Sequence, residues 1–175
     1  AAITTGGGGG TGATPGGGAT PSAGPSGGTG ASSTGGSTPR TKGSVSTNFN
    51  QQAPQVMQNL MKDFGLTKEQ AAGIVGNLGH ESAGLQAGIQ EKNPLGGGRG
   101  GLGWAQWTGP RRRAFEAYLK ETGQNATDPQ ANYGFLKKEL ETTHKSALEA
   151  VRKQSSAEGA TQVFEKIYEG DRKST

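Results

Sequence analysis

TKEQAAGIVGNLGHES, residues 67–82, reads as an amphipathic helix that carries a carboxylate to its end. Thr67 followed by Gln70 forms a capping box, in which a hydroxyl and an amide each satisfy a backbone N–H at the helix start. Ala71, Ile74, Val75 and Leu78 then share one face at spacings of three and four. Glu81 falls on that same face, three residues past Leu78 and seven past Ile74. A carboxylate at the end of a buried stripe loses hydration, which raises its pKa toward the range of a general acid. The helix dipole disfavours a negative charge at a C-terminus, so the fold gains nothing obvious from an acid there. Glu81 is the first candidate for chemistry, weighed against the plainer reading of a surface residue in a last helical turn.

The neighbouring segments are punctuated in the same way. Val56, Leu60 and Phe64 recur at i, i+4 and i+8, and Gly65 supplies a stop. Between Ser82 and Gly103 stand eight glycines, at 84, 88, 96, 97, 98, 100, 101 and 103, which exclude a long helix. Short strands around Gln86–Lys92 are expected there. Pro110 fits the first turn of a third helix with Phe115, Tyr118 and Leu119. Asp128-Pro129 caps a fourth with Tyr133, Leu136 and Leu140, and a fifth runs from about Lys145 to Lys153. Ser156 opens a sixth with Ala160, Val163, Phe164 and Ile167. The expected class is mainly α, with a small β or irregular insert between helices. Helix, insert, helix is the shape of a cleft.

Residues 1–48 are different. They hold 16 glycines, no aromatic residue and no acid, with Ile3 and Val45 as the sizeable apolar side chains. Such a segment cannot bury a core, so it reads as a disordered Gly/Thr/Ser/Pro arm or linker. As a flexible coil it would span about 35–40 Å. Residues 49–175 carry every Phe, Tyr, Trp, Leu and Met, and suffice for one core but not for a multi-domain machine. The chain has no cysteine, which removes disulfides and thiolate metal sites. No apolar run is long enough to span a bilayer, and the arm lacks the basic start and apolar block of a signal peptide. The net charge of +4 favours acidic partners only weakly.

Gly101-Leu102-Gly103-Trp104-Ala105-Gln106-Trp107 places both tryptophans and an amide in a glycine-flanked segment. Sugar faces stack on such rings and amides bond hydroxyls, so a glycan platform competes with a pair of core anchors. Gly79-His80-Glu81-Ser82, a glycine-rich gap, this segment and then Arg111-Arg112-Arg113 resemble the phage tail lysozyme family, cell-wall hydrolase domains of the lysozyme-like superfamily. More distantly, the Glu-Ser and Gly-Leu-x-x-x-Gln pattern is similar to goose-type lysozymes and lytic transglycosylases. The match covers about Phe49 to Glu169. It implies a helical lysozyme-like fold with Glu81 as catalytic acid, and a cleft lined by Gln106 and Trp107. Ser82, Gly103, Trp104 and Tyr168 complete the substrate-binding set. Tyr168-Glu169 falls where the family tends to carry such a pair near its last helices; Gly170-Asp171 follows and the sequence soon ends, so a terminal helix is expected to be missing.

Glycoside hydrolysis commonly uses two carboxylates, about 5–5.5 Å apart for retention and about 6.5–9.5 Å for inversion. Glu91, the sole acid between Glu81 and Glu116, is the first candidate for a second one, against the reading of a solvated charge beside Lys92. Without a partner, Glu81 acts first as acid and then as base. It then activates either water, giving a muramidase, or the sugar's own 6-hydroxyl, giving an anhydro product. His80 lacks the second histidine of a His-Glu-x-x-His zinc motif, so no metal or cofactor is implied. The arginine run at a helix N-terminus reads mainly as solvated surface, with an anionic wall polymer or virion partner as the sharper alternative. A nucleic-acid role has little support. The expectation is a hydrolase of the bond between N-acetylmuramic acid and N-acetylglucosamine in peptidoglycan. It would be carried in a virion tail among tail proteins and act in the host envelope. The rivals are a non-catalytic structural part of a tail or secretion complex and a glycan-binding module built on Trp104 and Trp107.

Overall fold

A computed structural model of the chain describes residues 42–94 and 98–170, with backbone alone for residues 42–46. The arm up to residue 41, residues 95–97 with the glycines at 96 and 97, and the residues after Gly170 lie outside the described residues. Helix α1 spans Lys42–Phe64, α2 Lys68–Glu81, α3 Gly109–Thr122, α4 Pro129–Glu141, α5 Lys145–Arg152 and α6 Ala157–Phe164. A π-helical turn, Glu165–Glu169, continues α6. The fold is mainly helical, as expected. Helix α1 begins ahead of Phe49 and contains Pro54.

Helix α2 is the spine. Its capping box forms as read: Thr67 N donates to Gln70 Oε1 at 3.0 Å, and Gln70 N donates to Thr67 Oγ1 at 3.2 Å. The Gln70 amide also donates to the carbonyls of Arg152 and Gln154, at 3.0 and 2.9 Å, which ties the helix start to the end of α5. Ala71, Ile74, Val75 and Leu78 are buried against α1 and α6. Gly65 stops α1 in the left-handed region, and its N–H reaches the Met61 carbonyl at 3.0 Å.

The contact between α2 and α6 depends on a glycine. A Cβ at Gly73 would lie 2.5 Å from Ala160 Cβ and 2.7 Å from the Ala157 carbonyl oxygen. The gain in helix propensity of Gly73→Ala, about 1 kcal/mol, is outweighed by overpacking of about 1–3 kcal/mol. We expect this variant to melt below the wild type in a thermal scan; equal or higher melting would mean that α6 yields freely.

Two local expectations hold in position and differ in detail. Asp128 sits at the N-cap of α4, but its carboxylate accepts from the N–H of Asn125 at 2.9 Å in the preceding turn instead of capping the helix. The strands expected around Gln86–Lys92 reduce to isolated bridges, Gln90 with Leu102 and Leu102 with Trp107. Left-handed backbone at Gly88, Gly100 and Gly103 breaks the extended run a strand needs.

Candidate active site

Glu81 is the last residue of α2 and is half-buried. Three neighbours fix where the helix ends. At Gly79 the absent side chain lets the Phe49 ring of α1 lie directly on the helix backbone. The Ser82 hydroxyl turns back to donate to the Leu78 carbonyl at 2.6 Å. The Asn48 amide donates to the Gly84 carbonyl at 2.5 Å. Helix α1 therefore clamps the chain on both sides of the carboxylate.

The turn that follows is strained. Ala83, Gly84 and Leu85 have φ of 50°, 87° and 59°, and two of these three residues carry side chains that disfavour that region. Gln106, at φ 46°, is the only other described non-glycine residue there. Leu85 is fully buried, and its carbonyl accepts from the Trp104 indole at 3.0 Å, so packing holds the turn in place. Strain of this kind clusters at functional sites. Ala83 and Leu85 follow the candidate acid directly, and Gln106 lies in the returning limb of the insert.

The insert returns through Ile89 to Gly103. The Gln106 amide donates to the carbonyls of Ile89 and Gly103, at 3.2 and 2.9 Å, and so braces both limbs. Glu91 is exposed; its Oε2 accepts from Gly101 N–H at 3.2 Å and its own N–H donates to the Gly101 carbonyl at 2.9 Å. Of the residues assigned to substrate binding, several are inside the protein. Trp104 and Trp107 are 1% and 0% exposed, and Tyr168 is 0% exposed. A ring with no free face cannot stack on a sugar, which corrects the platform reading to one of core anchors. Trp107 packs on Phe115 and Phe135 at centroid distances of 4.4 and 5.0 Å. Ser82 is likewise buried as a helix-end brace. Gly103 is a close-packing glycine, where a Cβ would meet Asn132 Oδ1 at 2.6 Å.

The largest feature that the sequence left unread is a buried polar network behind the insert. Glu139 of α4 accepts from Trp107 Nε1 at 2.9 Å, from the Tyr168 hydroxyl, and from Arg111 through two bonds of 2.8 and 2.7 Å. Arg111 also donates to the Tyr168 carbonyl at 2.8 Å and lies over its ring at 4.3 Å. The arginine run is therefore mostly structural: Arg111 and Arg112 turn inward to carboxylates and carbonyls, and Arg113 alone is exposed. The cost of a cation at a helix N-terminus is offset inside the protein itself. Among the described residues no group of three His, Cys, Asp or Glu is placed to hold a metal ion.

Burial pushes the Glu139 carboxyl up, but the Arg111 hydrogen bonds and charge, with the Tyr168 bond, hold it below the ordinary 4.5. A lowered folded-state value makes its contribution present above about pH 4.5 and lost as pH falls through the folded value. Thermal stability should fall on acidification below that point, and Glu139→Gln should flatten the fall. An unchanged slope in the variant would assign acid sensitivity elsewhere.

No curated protein and no solved structure matches the chain significantly. A family model described as phage tail lysozyme matches residues 51–175. That stretch contains most of α1, the spine with Glu81, the strained turn, the insert and the buried network behind it. With that match over well more than half its length, the chain belongs to the phage tail lysozyme family, lysozyme-like enzymes that degrade peptidoglycan.

Proposed function

We propose that this protein cleaves the β-1,4 bond between N-acetylmuramic acid and N-acetylglucosamine in peptidoglycan, with Glu81 protonating the leaving oxygen. The observation that carries the reading is the placement of Glu81: half-buried, at the end of the central helix, beside a turn with left-handed Ala83 and Leu85. Proton donation needs a carboxyl held in fixed geometry against the scissile oxygen. Phe49, Asn48 and Ser82 supply that rigidity from the helix side.

The second step needs a base. Glu91 is the candidate second carboxylate, on the insert, with one oxygen engaged by Gly101 N–H. Alternatively, Glu81 deprotonated in the first step serves twice. Attack by water gives a reducing N-acetylmuramic acid end, and attack by the 6-hydroxyl gives a 1,6-anhydro end. Gln106, only 9% exposed, is proposed to line the cleft from the insert side. Family membership supports a place in a virion tail, among tail proteins, with action in the host envelope.

The test is incubation of the protein and of Glu81→Gln with purified peptidoglycan, followed by mass spectrometry of the fragments. Reducing ends lost in the variant support a muramidase; anhydro ends support a lytic transglycosylase. Absence of fragments from the wild type would sink the enzyme reading in favour of a structural or glycan-binding part.

A further inference from the structure

Arg112 is a guanidinium buried on α3, and its donors leave the helix for the insert. Nη1 donates to the carbonyls of Arg99 and Gly100, the latter at 2.9 Å, while Nε donates to Glu116 at 3.0 Å. Glu116 closes the loop by accepting both terminal nitrogens of Arg99 at 2.7 Å each. One carboxylate thus grips Arg99 by its side chain and, through Arg112, by its backbone.

The gripped residues lead directly to Glu91. Gly101, next in the chain, exchanges two hydrogen bonds with Glu91, at 2.9 and 3.2 Å. Gly100, at φ 68°, passes so close that a Cβ there would lie 2.9 Å from both Glu91 Cβ and its carbonyl oxygen. Hydrophobic burial would hold the insert against α3 without fixing its orientation. A planar guanidinium with a forked set of donors sets direction as well as proximity. Burial pushes the Glu116 carboxyl up, but the two arginines hold it below its ordinary value, so it stays ionised through the neutral range.

We infer that Glu116 and Arg112 are positioning residues, holding the edge of the insert at which Glu91 pairs with Gly101 in the posture in which it receives the glycan strand. This rests on the glycan-cleavage reading above and adds to it residues that never touch the substrate.

The experiment uses Glu116→Gln, which keeps the side-chain size and removes the charge, and Gly100→Ala, which wedges the same edge apart while leaving the clamp's side chains intact. Each should raise KM for soluble peptidoglycan strands about tenfold, equivalent to about 1.4 kcal/mol of lost strand binding, while kcat changes less. Amide hydrogen exchange at Glu91 and Gly101 should quicken in both. Strand binding measured in a Glu81→Gln background, with and without Glu116→Gln, separates this inference from the catalytic one. If Glu81→Gln still cleaves, the role of Glu81 falls while the loss of binding on adding Glu116→Gln still upholds the clamp. Wild-type KM, binding and exchange in Glu116→Gln would overturn it. A drop in melting temperature with unchanged KM and binding would overturn it too, since that is what a purely structural clamp predicts.

Discussion

Glu81→Gln should lower the rate of glycan cleavage by about 10²–10⁴-fold, the range a positioned general acid contributes, with thermal unfolding essentially unchanged. The amide matches the carboxyl in size and cannot deliver the proton. Its site is half-buried at a helix terminus and braced by Phe49, Ser82 and Asn48, none of which depends on the charge at position 81. Strand binding should survive, so the loss belongs to kcat. A variant that cleaves as fast as the wild type would remove Glu81 from the chemistry, and one that fails to fold would place it among the structural residues.

The largest loss of stability is expected elsewhere, at Arg111. Arg111→Met should cost about 3–5 kcal/mol, the penalty for leaving one member of a buried ion pair without its partner. The side chains of Arg111 and Glu139 are 13% and 6% exposed, so water cannot readily replace the lost guanidinium. Glu139 would keep its bonds from Trp107 and Tyr168, and His144 Nδ1 lies 3.9 Å from its other oxygen. These donors do not supply the full compensating charge. Replacing both partners, Arg111→Met with Glu139→Leu, should recover part of the loss, because the stranded charge is then gone. Denaturant unfolding of the two variants measures the difference. Equal stability of Arg111→Met and wild type would show that the carboxylate is solvated through some other route.

What could be read from the sequence was local. Thr67, Gly65, Pro110 and Ser156 act within a turn of themselves, so the chain around each one contains its whole explanation. The position of Glu81 at the helix end was legible for the same reason, since helical spacing alone places it past the buried stripe. The roles of Trp104 and Trp107 were not legible, because an aromatic among glycines looks the same whether it lines a cleft or fills a core. The partners that decide the matter, Asn132, Phe135, Glu139 and Tyr168, stand 25 or more positions further along. Arg111 illustrates the point again. Its carboxylate is 28 residues away and its carbonyl acceptor 57, and no pattern in the run of three arginines points to either.

The bond from the Trp107 indole to the Tyr168 hydroxyl spans 61 residues and ties the insert to the last described turn. During synthesis, the spine with Glu81 leaves the ribosome long before Tyr168 does. The capping box and the packing of α1 on α2 are contacts of short sequence separation, which close early and quickly. The pin behind the insert closes only when Tyr168 arrives. Contacts of short separation thus hold the residue proposed for the chemistry, while the insert is pinned by a contact of long separation. A nascent chain is in this sense kept from locking its proposed site until Tyr168 has emerged.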